Sequence, residues 1–186
     1  MALRIIAGDL RGRKLRTVRG KKTRPTANRT REAIFNILAP LIRGARVLDL
    51  FAGTGAFGIE ALSRKADSAV FIENDDDSLH ILQSNIHTLS LERQTTIIRW
   101  DLTKNLNCLK SMPPGFDLVF MDPPYNQNMI EPSLRNLHRS QSLAAGALVI
   151  VEHAHHEPVM INQMPYISVD HRKYGKSLVT ILDYVV

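Results

Sequence analysis

Residues 116–125 read Phe-Asp-Leu-Val-Phe-Met-Asp-Pro-Pro-Tyr, a short apolar run that stops abruptly at Asp122, Pro123, Pro124 and Tyr125. The apolar run has the composition and length of a buried strand. Proline ends a strand because it has no N–H to donate to a neighbouring strand. The sequence therefore predicts a carboxylate, a backbone carbonyl and an aromatic ring held rigidly at the end of a buried strand.

These groups suit the methylation of an exocyclic amino group on a planar base. Such an amine is a poor nucleophile because its lone pair is delocalised into the ring. If the Asp122 carboxylate and the Pro123 carbonyl each accept one of its N–H bonds, the lone pair is localised on nitrogen. Tyr125 can stack on the ring, as aromatic side chains do for extruded bases. The alternative is that Asp-Pro-Pro-Tyr only ends a strand, since two prolines are a common stop signal.

A glycine-rich loop follows a second buried-strand pattern at residues 46–51. Glycines allow a tight turn and let the backbone approach a ligand closely. Gly53, Gly55 and Gly58 satisfy the spacing G-x-G-x-x-G. That spacing alone is a weak signal, because it also fits a site for a nicotinamide dinucleotide.

Acidic residues at the ends of successive predicted strands favour S-adenosylmethionine as the ligand. Asp49 precedes the loop, where a carboxylate would oppose a pyrophosphate but suits the ammonium group of a methionyl tail. Glu73 is an acceptor for ribose hydroxyls, which both candidate ligands carry, and Asp101 can accept from an adenine amino group. The Asp-Pro-Pro-Tyr element has no role in hydride transfer. The predicted cofactor contacts are Asp49, Phe51, Ala52, Gly53, Thr54, Gly55, Glu73, Asn74, Asp101 and Leu102.

Strand and helix patterns alternate along the chain, which predicts an α/β fold with a doubly wound, mostly parallel, Rossmann-like sheet. Ligands of such sheets bind beyond the carboxyl ends of the strands. We expect one domain, 1–186, with an N-terminal extension at 1–45 and a catalytic core at 46–186. The predicted strands are 46–51, 69–72, 95–99, 116–121, 147–152, 166–169 and 178–184, and the predicted helices of the core are 59–64, 77–89, 102–109 and 129–138.

Positive charge is concentrated at the N-terminus. Residues 1–46 carry thirteen Arg and Lys against two acids, a net charge of +11, whereas the whole chain is +6 and the remainder is therefore −5. A basic arm on an acidic body is typical of proteins that bind polyanions. Short strand patterns at 3–7 and 14–18 predict a hairpin, and apolar spacing predicts a helix from about residue 30 to 41. The alternative is a solvated, disordered tail.

The chain resembles the RsmD-type 16S rRNA guanine-N2 methyltransferases within the S-adenosylmethionine-dependent superfamily. The matching segments are 4–8, 11–15, 24–26, 31–36, 49–55 and 122–125. The resemblance implies methylation of N2 of one guanine in 16S ribosomal RNA. The expected partner is this RNA in a small-subunit particle, and free RNA stays open as the alternative substrate. The resemblance also implies a seven-stranded sheet with a reversed edge strand, and closure of the stretch around Thr26 over the methionyl end of the cofactor. The predicted RNA contacts are Arg11, Arg13, Lys14, Arg24, Arg29 and Arg31.

Other functions stay open on the residues alone. Asp-Pro-Pro-Tyr would also serve adenine-N6 methylation of DNA, and a non-catalytic RNA-binding or ribosome assembly factor could use the same scaffold. The single cysteine, Cys108, excludes an internal disulfide, and neither it nor the histidines at 153, 155 and 156 have metal-ligand spacing. No apolar run is long enough to span a membrane. We therefore expect a cytoplasmic protein without metal, and the oligomeric state stays undetermined.

Overall fold

The computed structural model describes residues 3–18, 25–113 and 115–186, without the side chains of residues 25–27. The predicted contact Arg24 and the side chain of Thr26 therefore lie outside the described residues. The chain divides into two compact units, residues 1–99 and residues 100–186. The predicted boundary at residue 45 stays a prediction.

In the described residues of the first unit there are four α-helices and three parallel strands. Its elements are α1 (Pro25–Ile37), α2 (Ala39–Ile42), β1 (Arg46–Leu50), α3 (Ala56–Ser63), β2 (Ser68–Glu73), α4 (Asp76–Leu89) and β3 (Thr95–Arg99). Strand β2 pairs in parallel with both β1 and β3. Val47, Leu48 and Leu50 are fully buried, as the continuous apolar runs of a parallel sheet require.

The second unit, as described for residues 100–113 and 115–186, has one α-helix and four strands. Its elements are β4 (Phe116–Met121), α5 (Ile130–Ser140), β5 (Leu143–Ala154), β6 (Tyr166–Tyr174) and β7 (Ser177–Tyr184). Strand β4 pairs in parallel with β5, and β7 pairs antiparallel with both β5 and β6. The complete sheet has seven strands in the order β3-β2-β1-β4-β5-β7-β6. The predicted α/β fold with a reversed strand is confirmed, and the reversed strand β7 lies next to the edge strand β6.

The N-terminal arm, residues 3–18, pairs back on itself around the predicted turn, as a hairpin does, but its pairing is shorter than the strands expected at 3–7 and 14–18. It has a single antiparallel bridge, Arg4 with Lys14. The Ile5 N–H donates to the Arg13 carbonyl at 3.0 Å, and the Leu15 N–H donates to the Leu3 carbonyl at 2.9 Å. The buried side chains of Leu3, Ile5 and Leu15 fix the arm to the body.

Two predicted helices differ from the observed ones. The helix expected at 30–41 starts at Pro25, ends at Ile37 and is followed by the short α2, because Pro40 is tolerated in a first helical turn but not in a helix interior. The helix expected at 102–109 is only a 3₁₀ turn at Asn107–Leu109. Among the described residues, no helix has the length and apolar character that crossing a bilayer requires.

Candidate cofactor and base sites

The glycine loop leaves β1 through backbone conformations that few residues adopt. Phe51 has φ +59°, Gly53 has φ +55° and Gly55 has φ +81°. A positive φ at a bulky residue such as Phe51 costs of order 1–3 kcal/mol and is found mainly at functional sites. The loop is held in this shape because the Gly55 N–H donates to the Ala52 carbonyl at 2.8 Å.

The three glycines of the loop have different roles. A Cβ on Gly55 would lie 2.4 Å from Leu82 Cδ1, and a Cβ on Gly58 would lie 2.4 Å from Phe71 Cε1, so both are required by packing of the helices on the sheet. A Cβ on Gly53 would meet only the Phe51 carbonyl, at 3.9 Å. Gly53 is therefore the position in the loop that leaves space for a ligand.

The Glu73 carboxylate holds the glycine loop in place at Gly53. Its Oε2 accepts a 2.6 Å hydrogen bond from the Gly53 N–H. Its Oε1 accepts from the backbone N–H groups of Asn74 at 2.7 Å and Asp75 at 2.8 Å. The structure thus brings Glu73 to the glycine loop, 20 residues earlier in sequence. Its Oε1 already has two donors, whereas Oε2 has one and keeps a lone pair for a further donor.

Asp49 is buried, with an exposed fraction of 2 %. Its Oδ2 accepts from the Gly58 N–H in the first turn of α3 at 2.9 Å. Burial raises the pKa of Asp49 to about 8, although the Gly58 hydrogen bond opposes the shift. In this structure Asp49 joins β1 to the start of α3, and its carboxyl group is not exposed for the direct contact with a methionyl tail that the sequence suggests.

Asp101 and Leu102 lie at the start of the second unit. The Asp101 Oδ1 accepts from the Thr103 hydroxyl at 2.6 Å, and Lys104 Nζ lies 3.2 Å from Oδ2. The Thr103 hydrogen bond, with a smaller contribution from Lys104, lowers the pKa of Asp101. Leu102 is buried, and its carbonyl accepts from the Asn136 side chain at 3.1 Å. Asp101 is therefore an ionised, half-buried acceptor at neutral pH.

The Asp-Pro-Pro-Tyr element leaves β4 as the sequence predicts. Asp122 is exposed, Pro123 is buried and Tyr125 is half-buried. The Tyr125 hydroxyl donates to Glu152 Oε1 at 3.0 Å and lies 2.8 Å from Ser177 Oγ. Burial, followed by the carboxylates of Glu152 and Asp122, raises the pKa of Tyr125. The ring is thus fixed at its hydroxyl end and stays protonated at neutral pH.

A buried carboxylate, Glu157, holds the turn that follows Tyr125. It accepts from the Asn126 N–H at 2.9 Å and from the Asn128 N–H at 3.0 Å. Both asparagines have positive φ, +60° and +53°, a conformation that asparagine adopts more readily than most residues. One side chain therefore fixes the backbone directly after the element predicted to bind the base.

The predicted RNA-contacting cations divide into two groups. Arg11, Arg13, Lys14 and Arg29 are exposed. Arg31 is instead buried, with an exposed fraction of 3 %, and its guanidinium donates to the Arg4 carbonyl and lies 4.0 Å from Glu60 Oε2. Desolvation lowers the pKa of Arg31. The Arg31 side chain, predicted to contact RNA, is thus a structural contact between α1, α3 and the N-terminal arm.

The sequence analysis did not identify the polar side chains that hold the N-terminal arm and the loops of each unit in place. Glu60 accepts from the N–H groups of Ile6 at 2.8 Å and Ala7 at 3.0 Å. Asn85 joins Arg16 to Thr54, and Glu152 and Glu157 hold the second unit's loop. The one available signal was a polar residue at an apolar position, as with Glu60 inside the apolar run 59–62.

The chain is similar in sequence to proteins of one family over nearly its whole length. The family model described as Conserved hypothetical protein 95 matches residues 3–183. The ribosomal RNA small subunit methyltransferase D of Haemophilus influenzae is 38 % identical over 85 % of this chain and 82 % of the relative. The Escherichia coli protein of the same name is 39 % identical over 81 % of this chain and 74 % of the relative.

Solved structures similar to this chain include a protein described as a methyltransferase. An Escherichia coli protein described provisionally as the methyltransferase yhhF has a TM-score of 0.85 and 32 % identity, and covers 100 % of this chain and 99 % of its own. A Thermus thermophilus protein of unassigned function has a TM-score of 0.79 at 27 % identity, covering 97 % of this chain and 98 % of its own. The chain therefore belongs to the family described as Conserved hypothetical protein 95, together with the proteins named ribosomal RNA small subunit methyltransferase D, which confirms the resemblance found in its sequence.

Proposed function

We propose that this protein is an S-adenosylmethionine-dependent methyltransferase that methylates the exocyclic N2 of a guanine in 16S ribosomal RNA. The geometry of the Asp-Pro-Pro-Tyr element carries the proposal, with an exposed Asp122 beside the buried Pro123 and the anchored Tyr125. The names of the relatives, small-subunit ribosomal RNA methyltransferases, support the choice of RNA. The choice of guanine as the target base, and of N2 as the methylated atom, rests on the family resemblance.

The residues of the glycine loop fit S-adenosylmethionine. Gly53 leaves open space, and Oε2 of Glu73 beside it keeps a lone pair for a ribose hydroxyl. Asp101, held ionised by Thr103, is the acceptor proposed for the adenine amino group. When bound, the cofactor supplies an electrophilic methyl group on a sulfonium. Thr26 is proposed as a further contact.

At the acceptor, Asp122 and the Pro123 carbonyl each take one N–H of the guanine amino group. This localises the lone pair on nitrogen, and the ring of Tyr125 sets the plane of the base by stacking. The nitrogen must then lie about 3–3.5 Å from the methyl carbon, in line with the leaving sulfur. A nitrogen–carbon bond forms as the sulfur–carbon bond breaks, and the electron pair of that bond leaves on sulfur.

The nitrogen gains a positive charge in this step, and the resulting ammonium is acidic. Its proton passes to Asp122 or to water. Asp122 therefore needs no raised pKa, and its role is to position and polarise the amine. No covalent intermediate with the enzyme is involved.

The exposed cations of the N-terminal arm supply the contacts with RNA. Arg11, Arg13 and Lys14 lie around the turn of the arm, and Arg29 is exposed on α1. Arginine and lysine bound to backbone phosphates position a nucleic acid without reading its sequence. The arm is held to α3 by Glu60, so these charges stand on a fixed surface. Arg31 is omitted from this group because it is buried, and Arg24 stays a proposal from sequence.

Transfer of labelled methyl groups from S-adenosylmethionine tests the proposal. The substrates to compare are free 16S ribosomal RNA, small-subunit particles and double-stranded DNA, with Asp122→Ala as the inactive control. We expect label in ribosomal RNA or its particles, none in DNA, and loss of turnover in the variant. Label in DNA alone would favour adenine methylation. Calorimetry that finds no binding of S-adenosylmethionine would favour a non-catalytic RNA-binding factor, and tight binding of NADH would restore the dinucleotide alternative.

A further inference from the structure

The tip of the β6–β7 hairpin carries exposed positive charge outside the N-terminal arm. Arg172, Lys173 and Lys176 are all exposed at the turn around Gly175. Arg172 Nε lies 2.8 Å from Asp170 Oδ2, which compensates its charge. In the part of the chain that the structure describes, neither lysine has an acidic group within ion-pair distance. The tip therefore presents two uncompensated ammonium groups to solvent.

A hydrogen bond links this hairpin tip to Tyr125, the tyrosine that stacks on the base in the proposed function. Lys176 directly precedes Ser177, the first residue of β7, so their Cα atoms are about 3.8 Å apart. The Ser177 hydroxyl lies 2.8 Å from the Tyr125 hydroxyl. Ser177 also pairs with Tyr174 across the hairpin and with Ala154 at the end of β5. Lys176 is thus held next to Ser177, and Lys173 pairs with Leu178, the following residue of β7. Strand pairing therefore fixes both lysines at the end of the hairpin that contacts Tyr125.

We propose that Lys173 and Lys176 bind backbone phosphates of the RNA segment that carries the target base, a role that rests on the proposed function. A base extruded onto Tyr125 brings its own flanking phosphates with it. Lysine supplies compact point charges suited to such contacts, which position the strand without reading sequence. The second unit would then hold the RNA next to the base by itself, independently of the cations on the N-terminal arm.

The double variant Lys173→Glu/Lys176→Glu tests this role against the matched control Lys110→Glu/Arg139→Glu. Both change the net charge by the same amount, and all four side chains are exposed. Lys110 precedes β4, and Arg139 lies in the last turn of α5, before β5 begins. The control positions are therefore at the opposite end of these strands from Tyr125. Substitutions at exposed sites usually change stability by less than about 0.5 kcal/mol.

We expect the hairpin variant to bind ribosomal RNA roughly tenfold more weakly than the control at low salt, with unchanged affinity for S-adenosylmethionine. The dependence of log K on log salt should become shallower by about 0.7 for each phosphate that the variant no longer binds. Equal RNA affinity and equal salt slopes in the two variants would overturn the proposal. If the wild-type protein methylates no RNA, the proposed function itself fails, and that result is separate from the comparison of variants.

Discussion

Arg16 and Asn85 form a reciprocal pair of hydrogen bonds across 69 residues of sequence. The Arg16 N–H donates to Asn85 Oδ1 at 2.8 Å, and Asn85 Nδ2 donates back to the Arg16 carbonyl at 3.1 Å. The same Nδ2 donates to the carbonyl of Thr54 in the glycine loop at 3.0 Å. One buried amide therefore connects the N-terminal arm to the loop proposed to bind the cofactor.

Replacing Asn85 with alanine should lower the stability of the protein and weaken its binding of S-adenosylmethionine. The change leaves three backbone groups without their partner, which costs about 1–3 kcal/mol for each buried group. We expect a lower melting temperature and a reduction in affinity for S-adenosylmethionine of roughly tenfold by calorimetry. Ser84→Ala is the control, because it removes only the exposed hydrogen bond between Ser84 Oγ and Arg16 Nη1. Equal behaviour of the two variants would show that Asn85 does not hold the loop.

Gly8 and Gly12 in the N-terminal arm differ in why glycine is needed: both require a positive φ, but only Gly8 also requires the absence of a side chain. Their φ angles are nearly equal, +80° and +82°, but a Cβ on Gly8 would lie 1.8 Å from the Ser63 carbonyl oxygen, whereas Gly12 has nothing within 4 Å. Gly12→Ala should therefore cost only the backbone penalty of about 1–2 kcal/mol. Gly8→Ala should cost clearly more in urea denaturation and expose the arm to trypsin. Equal losses of stability would mean that the arm does not pack on Ser63.

The stability of the protein should depend on pH through Asp49. Burial raises its pKa to about 8, from an ordinary value of 3.8. Between these two values the unfolded chain releases a proton that the folded protein retains, so this group destabilises the fold as pH rises, by up to about 1.4 kcal/mol per pH unit. Asp49→Asn removes the titration. We expect its stability relative to wild type to increase from pH 5 to pH 8 in urea denaturation, and parallel pH profiles would contradict the raised pKa.

Glu157→Gln should impair methylation of RNA without affecting the cofactor. A glutamine keeps the shape but offers one acceptor oxygen where Asn126 and Asn128 need two. A small shift of the loop after Tyr125 should lower kcat/KM for RNA by about tenfold to a hundredfold. Glu131→Gln, an exposed acid on α5 paired with Arg135 at 2.8 Å, is the control. If both variants keep wild-type kcat/KM, the loop is positioned by other contacts.

The regular elements can be predicted from sequence because their apolar patterns are strong. The sequence predicts strand β3 with its observed limits, Thr95–Arg99, and α4 within one residue of its start at Asp76. Glycine spacing and the two prolines also identify the two loops that leave β1 and β4. These features depend on local chemistry, which a single sequence contains.

The contacts that hold the sites cannot be predicted in this way. Asn85 with Arg16, Tyr125 with Ser177 and Glu60 with Ile6 join residues that are 69, 52 and 54 positions apart. Arg31 is an arginine in a basic segment and so resembles an RNA contact, but its side chain is buried against the Arg4 carbonyl and lies 4.0 Å from Glu60 on α3. The pairing of a charge with a distant partner depends on tertiary packing, which the charge pattern does not contain.

Mass spectrometry of nucleosides is the decisive experiment for guanine-N2 methylation. Small-subunit particles or 16S ribosomal RNA lacking the modification are incubated with the protein and with S-adenosylmethionine that carries a heavy-isotope methyl group. We expect N2-methylguanosine bearing the heavy methyl group with the wild-type protein, and its disappearance with Asp122→Ala, although that variant still binds S-adenosylmethionine. Heavy methyl groups on another base, or equal labelling by both proteins, would contradict the proposed reaction.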